Sequence, residues 1–155
     1  MAAARYVFVL WGRNFDGAAA TIFVSELRQA GLRVKVVGLD GELPIGMHGV
    51  TLVPDIPLSK ALSFVGRTAG IIVPCHACHW PRIQQDPRLV DFLVGSRQSN
   101  ALLIVAANCC AGALGALRVV DALAAPIKAT MPVLKAYPSH EELTEFARGL
   151  AGELE

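Results

Sequence analysis

Cysteines supply the most reactive side chains of this sequence, and two of them stand side by side at Cys109 and Cys110. Residues 101–117 begin as an apolar run typical of a strand buried on both faces, turn at a small-residue corner, and continue as an Ala/Leu-rich helix. Backbone N–H groups and the dipole at the helix start favour a thiolate and should lower the pKa of the Cys110 thiol. The corner therefore predicts a nucleophile; the alternative is a small cysteine packed into a tight turn.

A second cluster lies at residues 75–79, with the sequence Cys-His-Ala-Cys-His. Its pattern is that of covalent haem attachment, which requires export, and its two thiols and two imidazoles have the chemistry of a zinc site. The third interpretation places this loop opposite the Cys110 corner, so that His76 or His79 could accept the thiol proton. The fourth is a rearranged loop without chemistry. We predict no metal and no cofactor, and His76 is the candidate base.

One carboxylate is a candidate partner for the thiol. Asp16 stands just before an Ala-rich segment with helical spacing, so it is either the acid of the site or the N-cap of that helix. His140 is predicted to be solvated surface, whereas Trp11 is a candidate for the rim of a pocket or a subunit contact.

The elements that must position these residues alternate between strands and helices. This alternation predicts an α/β fold, a flavodoxin-like three-layer sandwich with a mostly parallel sheet, in a single domain over residues 1–155. Besides the central strand that begins at 101, strands are predicted at 6–11, 32–38, 48–54, 70–74 and 126–132, and helices at 18–30, 86–94 and 141–154.

Composition excludes several classes of partner. The 155 residues are 54% hydrophobic and 17% charged, with a net charge of +1, so neither nucleic acid nor an anionic membrane is an expected partner. No apolar run approaches the ~20 residues of a membrane helix. The cysteines fall into two tight clusters rather than a disulfide framework, which favours a cytoplasmic protein. A small-molecule ligand is possible, and a short apolar chain with sheet edges to cover predicts a homo-oligomer.

Four segments resemble a known family in their order and spacing. They are residues 27–38, residues 49–58, the run Ile-Ile-Val-Pro at 71–74, and Cys-Ala-Gly at 110–112. Together they resemble the ThiJ/PfpI family, which includes the Parkinson-associated DJ protein and lies in the class I glutamine amidotransferase-like superfamily. The resemblance covers residues 5 to 132 and implies a nucleophile at Cys110.

The other functional positions of that family depart from its pattern. The helix acid maps near Ala19, so that Asp16 is the nearest acid, and the downstream histidine maps onto Met131. The paired glycines that shape the oxyanion region map onto Cys75 and His76. Only Cys110 carries over directly.

The resemblance implies glyoxalase, deglycase or hydrolase chemistry, by attack of the Cys110 thiolate on a small carbonyl or amide compound. Backbone N–H groups of Ala111 and Gly112, together with the loop at 75–76, would then stabilise the oxyanion. The predicted site is Cys110 with His76 as base and Asp16 as acid partner. The alternative is a catalytically degenerate family member that serves as a binding, assembly or thiol redox-sensing module.

Overall fold

One parallel sheet forms the centre of the molecule. The computed structural model describes residues 4–39, 43–75, 85–97, 99–107 and 134–155. Within these ranges the strands are β1 (Tyr6–Trp11), β2 (Arg33–Gly38), β3 (Ile56–Pro57), β4 (Thr68–Val73), β5 (Leu102–Ala106) and β6 (Leu134–Tyr137). All neighbouring strands run parallel, in the order β3-β2-β1-β4-β5-β6.

The strand order confirms the predicted fold class. Apart from the two-residue β3, the order is second, first, third, fourth, fifth along the chain, which is that of flavodoxin-like folds. The direction of winding reverses between β1 and β4. In such sheets a ligand crevice opens at this reversal, outside the carboxyl ends of the strands.

Helices cover both faces of the sheet. They are α1 (Gly17–Gln29), α2 (Leu58–Ala61), α3 (Pro87–Arg97) and α4 (His140–Leu154). On one face α1 packs beside α4, where the Phe23 ring meets the rings of Tyr137 and Phe146 at centroid distances of 5.3 and 6.3 Å. On the other face α3 packs through Phe92, whose ring lies 5.3 Å from that of Phe8 in β1. The protein is therefore a three-layer α/β sandwich.

The boundaries of α1 follow from its sequence. Asp16 has an extended backbone, and its side chain accepts a hydrogen bond from the N–H of Ala19, which makes it the N-cap. Gly31 takes a positive φ of 88° just after the helix, a conformation that glycine adopts without steric strain. Both features confirm the sequence prediction, and the helix begins one residue earlier than expected.

Two predicted features differ from the structure. The strand at 48–54 is wrong: Met47–Gly49 form a 3₁₀ turn, because His48 and Gly49 have φ of 59° and 76°, which a strand does not allow. A single antiparallel bridge, Ile45 with Thr51, stands in its place. Trp11 rims no pocket, since it is 0% exposed and its indole N–H donates to the Pro44 carbonyl.

The end of the sheet departs from the prediction as well. The strand predicted at 126–132 lies outside the described residues, whereas β6 at Leu134–Tyr137 was not predicted. The helix predicted at 141–154 is confirmed as His140–Leu154, with Ser139 at the N-cap position. Among the described helices, none has the length and apolar character needed to span a bilayer.

Candidate functional site

A cavity of about 430 Å³ opens at the carboxyl ends of the strands. Its lining comes from the segments that follow β1, β4, β5 and β6, and from the 3₁₀ turn after β2. In the part of the chain that the structure describes, the lining residues are Asp16, Met47, Cys75, Ala106, Ala107, Tyr137, Pro138, Ser139 and His140. The cavity thus lies at the edge where parallel α/β sheets bind ligands.

Asp16 is held in place at the junction of β1 and β4. Its backbone N–H donates to the carbonyl of Pro74 at 2.7 Å, which ties the loop after β1 to the end of β4. Its Oδ1 accepts from the N–H of Ala19 at 3.1 Å. The side chain is 14% exposed, so the carboxylate is largely shielded from water. Its second oxygen, Oδ2, is directed at another residue of the cavity.

That residue is His140, the first residue of α4. Its Nε2 lies 2.6 Å from Asp16 Oδ2, although 124 positions separate the two residues in the chain. The imidazole is 54% exposed, so the prediction of a surface histidine is correct about exposure but misses the partner. Because a carboxylate oxygen can only accept, Nε2 is the donor and Nδ1 is left as the second ring nitrogen.

Cys75 brings a thiol to the cavity wall from the end of β4. It is 1% exposed, and its backbone N–H donates to the carbonyl of Val73 at 3.0 Å. The sequence predicts that the loop at 75–76 helps to stabilise an oxyanion. For Cys75 this assignment is wrong, because its N–H is directed at Val73.

Another part of the lining comes from the turn that contains Met47. The Met47 N–H donates to the carbonyl of Phe15 at 2.9 Å, which places this turn beside Asp16. Sequence reasoning assigned no role to Met47 or to Tyr137. Only the packing of β6 against α1, seen in the ring contact of Tyr137 with Phe23, brings Tyr137 to the cavity.

Of the predicted catalytic residues, Asp16 is the one in the described ranges. Cys110 and His76 lie outside these ranges. Cys78 and His79 of the 75–79 cluster also lie outside them, as does Met131, which occupies the family's histidine position. Their roles stay predictions. In the described part of the chain, no three His, Cys, Asp or Glu side chains converge in a way that could hold a metal ion.

Known proteins match this chain at the level of solved structures. No protein-family model matches the chain, and no curated protein matches it. Solved structures do match. DJ-1beta of Drosophila melanogaster is 16% identical, with a TM-score of 0.75 over 98% of this chain and 91% of that one.

Two further solved structures have a similar fold. A mutant DJ-1 superfamily protein from Salmonella typhimurium is 18% identical, with a TM-score of 0.73 over 97% of this chain and 90% of that one. The oxidized DJ-1 of Toxoplasma gondii is 16% identical, with a TM-score of 0.71 over 97% and 96%. At these identities the comparison concerns the fold, and the resemblance predicted from the sequence is confirmed at that level: this chain has the fold of the DJ-1/ThiJ/PfpI proteins.

Proposed function

We propose that this protein is a divergent ThiJ/PfpI-like protein in which the Cys110 thiol acts on small carbonyl or amide compounds. The observation that carries the proposal is the cavity at the carboxyl ends of the strands, whose wall includes Ala106 and Ala107. Cys110 follows Ala107 by three residues. Three residues of extended chain span at most about 11 Å, a distance that allows a thiol at this position to reach a ligand in the cavity.

The size and lining of the cavity support a small ligand. Its volume of about 430 Å³ falls within the range of small-molecule pockets. Met47, Ala106 and Tyr137 contribute apolar surface, whereas Asp16 and His140 contribute polar groups. An apolar wall with a few polar groups is the usual composition of a site that orients a small compound for reaction.

The proposed chemistry is nucleophilic attack by sulfur on a carbonyl carbon. The thiolate forms a C–S bond while the carbonyl π pair moves to oxygen, which gives a tetrahedral oxyanion. We assign the stabilisation of that oxygen to the N–H groups of Ala111 and Gly112 and not to that of Cys75, because the N–H of Cys75 is directed at the Val73 carbonyl.

The test is the reactivity of each cysteine. Wild-type protein is treated with limiting iodoacetamide at neutral pH, and the four cysteines are quantified by peptide mass spectrometry. We expect Cys110 to be alkylated at least tenfold faster than Cys78 or Cys109. A panel of small aldehydes and amides then identifies a substrate, with Cys110→Ser as the inactive variant and Cys109→Ser as the matched control. Labelling of Cys110 no faster than that of Cys109 would contradict the proposal.

The second candidate is a binding, assembly or thiol redox-sensing module. It is favoured by Met131 at the family's histidine position and by the bond between Cys75 N–H and Val73 O, which removes one oxyanion donor. Under this alternative the thiol reacts slowly, the aldehydes and amides are not turned over, and the cavity still binds a small compound in calorimetry.

The environment that we propose for either function is the cytoplasm, where glutathione and thioredoxin keep thiols reduced. The partner that we propose is a small molecule, since a net charge of +1 gives no electrostatic reason to expect nucleic acid.

A further inference from the structure

Asp16 and His140 form a hydrogen-bonded pair in the lining of the cavity. We propose that His140 transfers the proton in the reaction of this cavity and that Asp16 orients it. The inference rests on the proposed function, because it supplies that reaction with the base that Met131 does not provide. It also replaces His76, the base predicted from the sequence, with a histidine from the last helix.

Asp16 has the fixed geometry that an orienting residue needs. Its backbone is tied to Pro74 at 2.7 Å, and its Oδ1 is tied to the first turn of α1 through Ala19 at 3.1 Å. With both anchors in place, Oδ2 has little freedom to move. The imidazole of His140, 2.6 Å from that oxygen, is therefore held in one orientation at the cavity.

The hydrogen bond also fixes which ring nitrogen can act. Nε2 donates to the carboxylate, so the lone pair of the neutral imidazole lies on Nδ1. A carboxylate that holds the donor nitrogen also stabilises the imidazolium that forms when the other nitrogen takes a proton. This is the arrangement of base and orienting acid that activates a nucleophile.

With an aldehyde as substrate, the step balances without any further reactant. The thiol S–H proton passes to Nδ1 of His140, the sulfur electron pair forms the C–S bond, and the carbonyl π pair moves to oxygen. The imidazolium then returns its proton to that oxygen, which yields a neutral hemithioacetal. The substrate class that needs only this proton shuttle is therefore a small aldehyde.

A purely structural role explains the pair less well. An ion pair with a partner that is 54% exposed contributes only about 0.2–1 kcal/mol to stability. Arg148 and Glu26, 3.0 Å apart, already link α4 to α1 away from the cavity. Among the lining residues that the structure describes, His140 is the one imidazole, and its half-exposed ring is accessible to a small molecule from solvent.

The experiment replaces the base but keeps the hydrogen bond. In His140→Gln the amide nitrogen can still donate to Asp16, but no group can accept a proton. Two rates are measured: iodoacetamide alkylation at Cys110, which needs no known substrate, and consumption of a small aldehyde by formation of the hemithioacetal with the protein, across pH 6 to 9. Glu141→Gln, which changes a neighbouring exposed residue of α4 outside the cavity lining, is the matched control.

We expect His140→Gln to slow aldehyde consumption by about 100-fold and alkylation at least tenfold, with an unchanged thermal midpoint and no effect of Glu141→Gln. Added imidazole should restore part of the aldehyde activity of His140→Ala, because the site is open to solvent. A structural role predicts no such rescue. Alkylation of His140→Gln within twofold of wild type would overturn the inference.

The failure of this inference is distinguishable from failure of the proposed function. If Cys110→Ser abolishes aldehyde consumption while His140→Gln leaves both rates unchanged, the thiol function stands and the role of His140 is wrong. If Cys110→Ser has no effect while His140→Gln does, the thiol assignment is wrong. If Cys110 is unreactive in wild type and no aldehyde is consumed, both are overturned.

Discussion

Asp16 performs two tasks with its two carboxylate oxygens, and substitutions can separate them. Oδ1 caps α1 through the N–H of Ala19 at 3.1 Å, and Oδ2 holds the imidazole of His140 at 2.6 Å. Asp16→Ala removes both interactions. Asp16→Ser keeps a side-chain acceptor for the cap but is too short and uncharged to hold the imidazole.

The expected magnitudes follow from these contacts. Loss of an N-cap costs about 1 kcal/mol of stability, and loss of the half-exposed pair costs about 0.5 kcal/mol. Asp16→Ala should therefore lower the free energy of unfolding by about 1.5 kcal/mol, and Asp16→Ser by about 0.5 kcal/mol. For a chain of this length, the larger value corresponds to a fall in the thermal midpoint of roughly 3–6 °C.

The assay is urea unfolding followed by circular dichroism, with His140→Ala and the double variant completing a thermodynamic cycle. We expect a coupling free energy of about 0.5 kcal/mol between Asp16 and His140. The cap reasoning is refuted if Asp16→Ser destabilises as much as Asp16→Ala. Additive effects of Asp16→Ala and His140→Ala would show instead that the pair contributes nothing to stability.

Three further predictions concern the loop that contains Gly46, the start of α3 at Asp86, and the exposed apolar surface around Val53. In Gly46→Ala the new Cβ would lie 2.7 Å from Cζ2 of the buried Trp11 ring, so we expect a loss of about 1–3 kcal/mol in thermal unfolding. Partial burial raises the pKa of Asp86, but hydrogen bonds and the charge of Arg88 outweigh it and hold that pKa below its ordinary value. Asp86→Asn should therefore destabilise at pH 7, by at most about 1 kcal/mol, and this difference should disappear as pH falls through the lowered pKa. Val53 is 75% exposed and lines a surface groove together with the exposed Leu43. It should contribute to a self-association surface, so Val53→Asp should shift the mass measured by light scattering towards the monomer.

Each of these predictions has a control within the chain. Gly66→Ala adds a methyl group where no atom lies within 4 Å and should leave stability unchanged. Asp91→Asn removes an acid from the middle of α3 and should show no loss at pH 7. Ser63→Asp introduces a charge on a different exposed turn and should not alter the mass. A wild-type monomer at micromolar concentration, or an Asp86→Asn deficit that grows at low pH, would contradict the corresponding prediction.

The fold was predictable where the pattern is local. The apolar runs of β1, β4 and β5 gave strand positions within about two residues, because strands buried on both faces need continuous apolar sequence. The alternating pattern of β2 located that strand equally well. The errors fall where the backbone conformation of a segment, or its position in the sheet, determines whether it forms a strand. Residues 48–54 look like a strand, but the positive φ of His48 and Gly49 turns the chain there. Strand β6 is short, contains Lys135 and lies at the sheet edge, where a strand tolerates polar residues.

The candidate site was predictable only in part, for a related reason. The cap formed by Asp16 depends on residues three positions away, and an aspartate before an Ala-rich helix indicates it. The contact with His140 depends instead on α1 and α4 packing side by side, through Phe23 and Phe146, across 124 positions of sequence. Nothing near His140 in the sequence distinguishes it from any exposed residue in a first helical turn.

The structure also changes how the two interpretations of Asp16 relate to each other. From the sequence, an N-cap and an acid partner are alternatives, because one short side chain is expected to have one task. The geometry makes them compatible, since the cap occupies Oδ1 and leaves Oδ2 directed towards the cavity. The cap even serves the second task, because it removes the rotational freedom that an orienting carboxylate must lose. Asp16→Ser should therefore lower the rate of proton transfer by His140 far more than its small effect on the free energy of unfolding suggests. If Asp16 only capped the helix, Asp16→Ser would lower the rate of proton transfer no more than it lowers the stability.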